Sequence, residues 1–296
     1  MRIAVVGVSG QLATSLLELG AARGLPMTAL GRPQVDITDA PAVARAIDDT
    51  DANIVVNTAA YTAVDRAETD TAAAFAVNAA GAGNVAEACA RRRLPLIHIS
   101  TDYVYGGDKA SPYIEDDATG PLGVYGRSKL EGESSVARAC PQHIILRTSW
   151  VHSPFGGNFV KTMLRLARER DEVAVVSDQR GCPTYAPHMA AAILAIAEQV
   201  GALPDAPWGV YHAAGSGEAT WYDLASAVFQ ASRALGGSAA RVRPIPTSAY
   251  PTAAVRPMNS RLDTDKLARA FDVRLPDWHE GVRACVARLL RDVVTA

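Results

Sequence analysis

The chain has 296 residues, 49% hydrophobic and 20% charged, with a formal net charge of −2. The 29 Lys and Arg against 31 Asp and Glu leave no basic excess for neutralising phosphates, which argues against a nucleic-acid partner, and the apolar content excludes disorder. The four cysteines form no CxxC pair, no apolar run approaches the ~18 residues of a membrane span, and the apolar start is broken by Gly7 and Gly10, so the expectation is a cytoplasmic protein without membrane contact.

In chain order, residues 2–7 are a β-branched run ending at Gly7 and read as a buried parallel strand. Residues 12–23 carry helical periodicity and stop at Gly24. Further strands are expected at 27–30, 53–57, 95–100 and 142–149. Helices are expected at 40–48, 71–93 and 125–138, the first capped by Asp39 with Pro41 in its first turn. Strand and helix in alternation imply a parallel sheet covered on both faces, an α/β Rossmann-type doubly wound plan over residues 1–149. Beyond residue 150 the rhythm loosens. Helices are expected at 158–169, 186–199, 221–233 and 279–294, with a strand at 208–214. Residues 241–260 hold Pro244, Pro246, Pro251 and Pro257 and cannot be regular helix. Residues 150–296 therefore read as a smaller α/β C-terminal substrate domain, with room for some segments to return to the first.

Gly7-Val8-Ser9-Gly10-Gln11-Leu12-Ala13 joins the first strand to the first helix. Such a turn brings backbone N–H groups and a helix N-terminus to a pyrophosphate, and Ala13 is small enough for the position of the usual third glycine. Arg32 follows the second strand, where an arginine suits the 2′-phosphate of NADP better than the ribose of NAD, so NADPH is the expected cofactor, with NADH as a second donor. Asp36 and Ile37 lie just beyond and could border the adenine. Tyr125 and Lys129 are four residues apart and share a helix face. An ammonium beside a phenol favours the phenolate, which makes the tyrosine a usable proton donor, and the lysine can also hold the nicotinamide ribose. Ser100-Thr101-Asp102 ends the fourth strand, where open α/β sheets bind ligands, and the Thr101 hydroxyl can reach a substrate oxygen.

These residues carry a resemblance. The glycine turn, STDYVYGG (100–107) and YGRSKLEGE (125–133) resemble the extended short-chain dehydrogenase/reductases. VNTAAYTAVDRAE (56–68), RTSWVH (147–152), TMLRLARER (162–170), WYDLA (221–225), TSAYPTAAVRPMNSRLDTDKL (247–267) and LPDWHEGV (275–282) resemble, across nearly the whole chain, the dTDP-4-dehydrorhamnose reductase family within that group. The resemblance implies hydride transfer from NADPH or NADH to C4 of dTDP-4-dehydro-β-L-rhamnose, giving dTDP-β-L-rhamnose. It implies that Tyr125 is the proton donor and Lys129 its partner, that Thr101 and Asp102 lie against the sugar, and that Trp150 stands near the substrate. It also implies dinucleotide contacts at Gly10, Gln11, Leu12, Asp36, Ile37, Ala59, Ala60 and Tyr61, and a structural role for Asn78. Some members form dimers around a magnesium ion held by two glutamates. Those places align with Ser15 and Pro187, which offer no carboxylate, so no magnesium-linked dimer is expected and a monomer or weak homodimer is.

In the second half, Trp150 and Phe159 could bed the thymine, Arg256 could take the diphosphate, and Asn158 and Ser260 could add polar contacts. The alternatives are core packing for the two aromatics and a surface ion pair for Arg256. Trp221, Tyr222 and Trp278 read as packing residues, and His98 as a core histidine. The histidines show no metal-ligand spacing, and no GxSxG elbow points to a hydrolase. Two other functions stay open. One is a catalytically silent regulatory protein, as the related regulatory subunit of methionine adenosyltransferase is. The other is a nucleotide-sugar epimerase or dehydratase with tightly held NAD⁺.

Overall fold

The computed structural model describes residues 1–203 and 206–294. Strands β1 (Ile3–Val6), β2 (Met27–Leu30), β3 (Ile54–Asn57), β4 (Leu96–Thr101) and β5 (His143–Thr148) join the strand Gly209–His212 in a six-stranded parallel sheet. Its order is Gly209–His212, β5, β4, β3, β1, β2. β1 and β3 are buried at every residue, as strands covered on both faces must be. Successive side chains alternate between faces, so Ile3 and Val5 enter one apolar layer while Ala4 and Val6 enter the other.

The first layer lies under α1 (Gln11–Ala22) and the helices Ala186–Ala202 and Asp265–Phe271, through Leu16, Met189, Ile193 and Phe271. The second lies under α2 (Ala40–Asp48) and the helices Ala82–Arg92 and Val124–Ala139, through Val43, Ile47, Val85 and Val136. Asp39 caps α2 by accepting the Ala42 N–H, with proline in the first turn. The helix Ala186–Ala202, the strand Gly209–His212 and residues 267–275 thus return to the sheet of the first half, whose core they complete. A third core, around Val160, Leu224, Phe229 and Val286, belongs to the smaller unit.

One expectation is corrected. The long helix of 71–93 is interrupted: Thr71–Phe75 and Ala82–Arg92 flank a π-helical turn, Ala76–Gly81. The wide turn carries Asn78 inward, where it accepts from the Tyr61 N–H at 2.8 Å and donates to Ser128 Oγ at 2.9 Å. Gly132 crosses at the same place, and a Cβ there would collide with the Asn78 carbonyl. Residues 241–260, which cannot be regular helix, open with a strand. Arg241–Ile245 pairs in parallel with Glu172–Val176, a strand the sequence did not announce. Pro244 is tolerated because this sheet has two strands only and each is an edge. Among the described residues no helix is long and apolar enough to cross a membrane.

Candidate active site

A cleft of about 540 Å³ opens at the carboxyl ends of the sheet strands. At one end Gly7 turns with φ +111°, and a Cβ there would meet the Thr58 hydroxyl. Gly10 precedes α1 with no side-chain cap and open space in front of it, so the first N–H groups of α1 face the cleft. Gln11, Leu12 and Ala60 line this end. An uncapped helix N-terminus behind a cradle that a side chain would fill fits a dinucleotide pyrophosphate. Arg32 is exposed past the end of β2. Its charge, with the Thr38 N–H and hydroxyl, which bond Asp36, holds the Asp36 carboxyl below its usual range, the two hydrogen bonds acting most. Ile37 is buried beneath Gly81. Ala59 donates its N–H to Asn57 Oδ1, and the Tyr61 hydroxyl donates to Asp70 at 3.0 Å. Gly7, Arg32, Asp36, Ile37, Ala59 and Tyr61 therefore frame the nucleotide end from behind or beside it rather than lining the cleft.

The other end holds the reactive side chains. Thr101 and Thr148 are register partners at the tips of β4 and β5. Tyr125 and Lys129 project into the same cleft from the helix Val124–Ala139, whose Val124 N–H bonds Glu68. Burial pushes the Tyr125 phenol up to about 12, while the Thr101 hydroxyl pulls it down. Lys129 Nζ, expected to favour the phenolate, donates to the Ile99 carbonyl at 2.7 Å. Burial brings Lys129 down to about 8, opposed by Glu133.

Asp102 is buried and accepts from Thr101 Oγ1 and Ser149 Oγ, each at 3.0 Å, and from Ser260. Burial still raises it to about 6. Behind it, Glu133 takes Arg147 through two hydrogen bonds of 3.0 and 2.7 Å and accepts from Ser100. Arg147 continues to the Tyr105 hydroxyl at 2.6 Å, which contacts His212 at 2.8 Å.

Trp150 adopts φ +47° and stacks on Trp221 with ring centres 3.6 Å apart. Trp221, expected to be a packing residue, packs against the third core and also lines the cleft, anchored by its Nε1–H to Gln179 at 3.1 Å and flanked by Phe159. Phe159 and Trp221 also open a second groove of about 670 Å³, lined by Val173, Ile245, Tyr250 and Arg256. Asn158 lines the cleft, but its amide is engaged: Oδ1 caps the helix Phe159–Glu169 and Nδ2 donates to Gln11 at 2.9 Å. Ser260 is buried against Asp102 and outside the lining. Arg256 pairs with Asp65 at 2.7 Å, the surface ion pair that its residue type also allowed. Thr148, Tyr103 and Trp221 are lining residues that sequence reasoning missed. Tyr103 sits inside the quoted STDYVYGG string, and that was its available signal. Ser15 donates to the Gln11 carbonyl, and Pro187 opens the helix Ala186–Ala202. Among the described residues no group of His, Cys, Asp and Glu is placed to hold a metal ion.

A parallel sheet that presents a glycine turn, a strand-end threonine and a Tyr–Lys pair to one cleft defines the class of extended short-chain dehydrogenase/reductases. Within it, the chain belongs to the family described as RmlD substrate binding domain, whose model matches residues 1–291. A dTDP-4-dehydrorhamnose reductase of Sinorhizobium fredii is 49% identical, over 98% of both chains. The protein of that name from Escherichia coli is 43% identical over 88% of this chain and 86% of its own. The solved dTDP-4-dehydrorhamnose reductase of Bacillus anthracis, in complex with NADP, superposes with a TM-score of 0.90 at 33% identity, covering 97% of this chain and 99% of that one.

Proposed function

We propose that this protein reduces the C4 ketone of dTDP-4-dehydro-β-L-rhamnose to dTDP-β-L-rhamnose, the last step of dTDP-L-rhamnose synthesis, with NADPH and secondarily NADH as donor. The observation that carries this reading is the meeting of Tyr125, Lys129 and Thr101 in one cleft that continues past Trp221 into an aromatic-lined groove. The full-length family likeness supports it.

The nicotinamide, when bound, supplies the hydride. The first turn of α1 receives the pyrophosphate, and Arg32 provides the cation for a 2′-phosphate. Tyr125 donates its proton to the C4 oxygen as that oxygen gains charge, and Thr101 hydrogen-bonds the same oxygen. Without sugar the Thr101 hydroxyl donates to Asp102, so its single proton turns to the C4 oxygen when the sugar enters, while Ser149 and Ser260 hold Asp102 in place. Lys129 supports Tyr125 from one helical turn away. Trp150 and Phe159 bound the sugar and lead the nucleotide into the second groove, where Arg256 would exchange Asp65 for a phosphate. Asn158 shapes this wall from behind. Such an enzyme works where its soluble substrates are, in the cytoplasm, and without glutamates at Ser15 and Pro187 we infer a monomer or weak homodimer with no magnesium link.

The test is direct. Protein is mixed with dTDP-4-dehydro-L-rhamnose and either NADPH or NADH, and cofactor oxidation is followed alongside product formation. Oxidation with dTDP-L-rhamnose as product is expected. No oxidation by folded protein that still binds NADPH would sink the reading in favour of a regulatory role, and turnover of a nucleotide sugar without added reductant would favour an epimerase.

A further inference from the structure

On the sheet side of Lys129 lie two polar side chains that the reduction does not touch. Asn57, the last residue of β3, and His98, its register partner on β4, are fully buried. Asn57 Oδ1 accepts the Ala59 N–H at 3.1 Å, which fixes the amide and turns its NH₂ group towards His98 Nδ1 at 3.2 Å. An amide NH₂ only donates, so Nδ1 must accept, and the proton of the neutral ring sits on Nε2. Burial keeps the ring neutral by holding it well below the ordinary histidine range. Nε2 faces Lys129 Nζ at 3.4 Å, while Nζ donates to the Ile99 carbonyl. An amine can satisfy both contacts, donating to Ile99 and accepting from His98. An ammonium has no lone pair and would set N–H against N–H.

We propose that Asn57 and His98 are positioning residues acting through Lys129: the backbone-locked amide selects the Nε2–H form of the imidazole, and that donor favours the amine form of the lysine. Its consequence rests on the reductase reading. The charge that Lys129 carries one helical turn from Tyr125 then depends on His98, and the pH profile of kcat follows the Lys129 titration. The other groups around Lys129 are accounted for. Glu133, one turn on, favours the ammonium but is engaged by Arg147 from β5 and Ser100 from β4. Asn78 approaches from the π-helical turn uncharged, and His143 bears on His98 from β5.

Two measurements on the full chain test this. Ring nitrogen-15 NMR of the unaltered protein should report His98 as the neutral Nε2–H tautomer from about pH 6 to about pH 9. The Nδ1–H tautomer or an imidazolium overturns the proposal. Asn57→Asp keeps an acceptor for Ala59 and offers another to Nδ1, so it should flip the tautomer. The Lys129 titration, resolved among four lysines by side-chain NMR, should then rise by about one pH unit, and the pH profile of kcat with it. An unmoved Lys129 midpoint overturns the proposal. If the variant does not fold, the tautomer in the unaltered protein decides. Neither NMR readout needs substrate, so a protein that fails to reduce the sugar still tests the pair.

Discussion

At the sheet end of the cleft, three charged groups are buried and tied: Asp102 by hydroxyls from three segments, Glu133 by Arg147, Lys129 by a carbonyl. At the outer end the arrangement is the opposite. Arg243 and Arg241 meet Glu172 in solvent, Arg256 meets Asp65 at a half-exposed carboxylate, and Tyr250, Val255 and Met258 stand exposed. Exposed pairs contribute ~0–1 kcal/mol and can be exchanged for a ligand, whereas breaking a buried pair costs about 3–5 kcal/mol. The molecule thus holds fixed geometry where a proton and a hydride must be aimed, and replaceable contacts where a nucleotide must be admitted.

Changes at the two ends should therefore differ in size and kind. Tyr125→Phe should lower kcat by about 10²- to 10⁴-fold, with NADPH affinity by fluorescence titration nearly unchanged. Retained turnover would move the proton donor elsewhere. Arg147→Met leaves the Glu133 carboxylate buried without its partner and should cost about 3–5 kcal/mol in a denaturant titration. Asp102 offers a pH signature. Its folded pKa of about 6 lies above the ordinary value near 3.8, so the folded state binds the proton more tightly. The contribution is fully present below the ordinary value and is lost as pH rises through about 6. Asp102→Asn should gain on the parent protein by roughly 2 kcal/mol between pH ~4 and pH ~7, and a pH-independent difference would contradict a buried, raised carboxyl.

At the outer end the effects shrink. Arg32→Ala should cut the NADPH-over-NADH preference in kcat/KM about tenfold, the scale of a charged hydrogen bond. An unchanged ratio would assign the 2′-phosphate to another cation. Trp221→Ala removes one face of the Trp150 stack and should raise the sugar-nucleotide KM about three- to tenfold with kcat held, since aromatic pairs contribute about 0.5–1.5 kcal/mol.

Sequence patterning reached the sheet end well for a physical reason. A buried parallel strand such as Ile3–Val6 or Ile54–Asn57 is written in its own residues, and the Tyr125–Lys129 spacing is local to one helix. What escaped depends on partners distant in the chain. Glu172–Val176 is a strand only because Arg241–Ile245 lies beside it, and Trp221 joins the site only because Trp150, far earlier, is turned to meet it. The π-helical turn escaped because an alanine-rich run satisfies a plain helix equally well, and the extra residue is visible only where Asn78 meets Tyr61 and Ser128. Asn158 and Ser260 carry side chains that suit a ligand, and nothing local announces that Gln11 and Asp102 already occupy them.

The return of the helix Ala186–Ala202, the strand Gly209–His212 and residues 267–275 to the first core has a consequence during synthesis. A chain leaving the ribosome has made β1 to β5 by residue 148, yet the sheet still lacks the edge strand Gly209–His212, and one of its faces lacks the helices carrying Met189 and Phe271. The nascent first half therefore carries a sheet face covered only by α1 until residue 275 has emerged, and a chaperone that shields apolar surface would find its window over that interval.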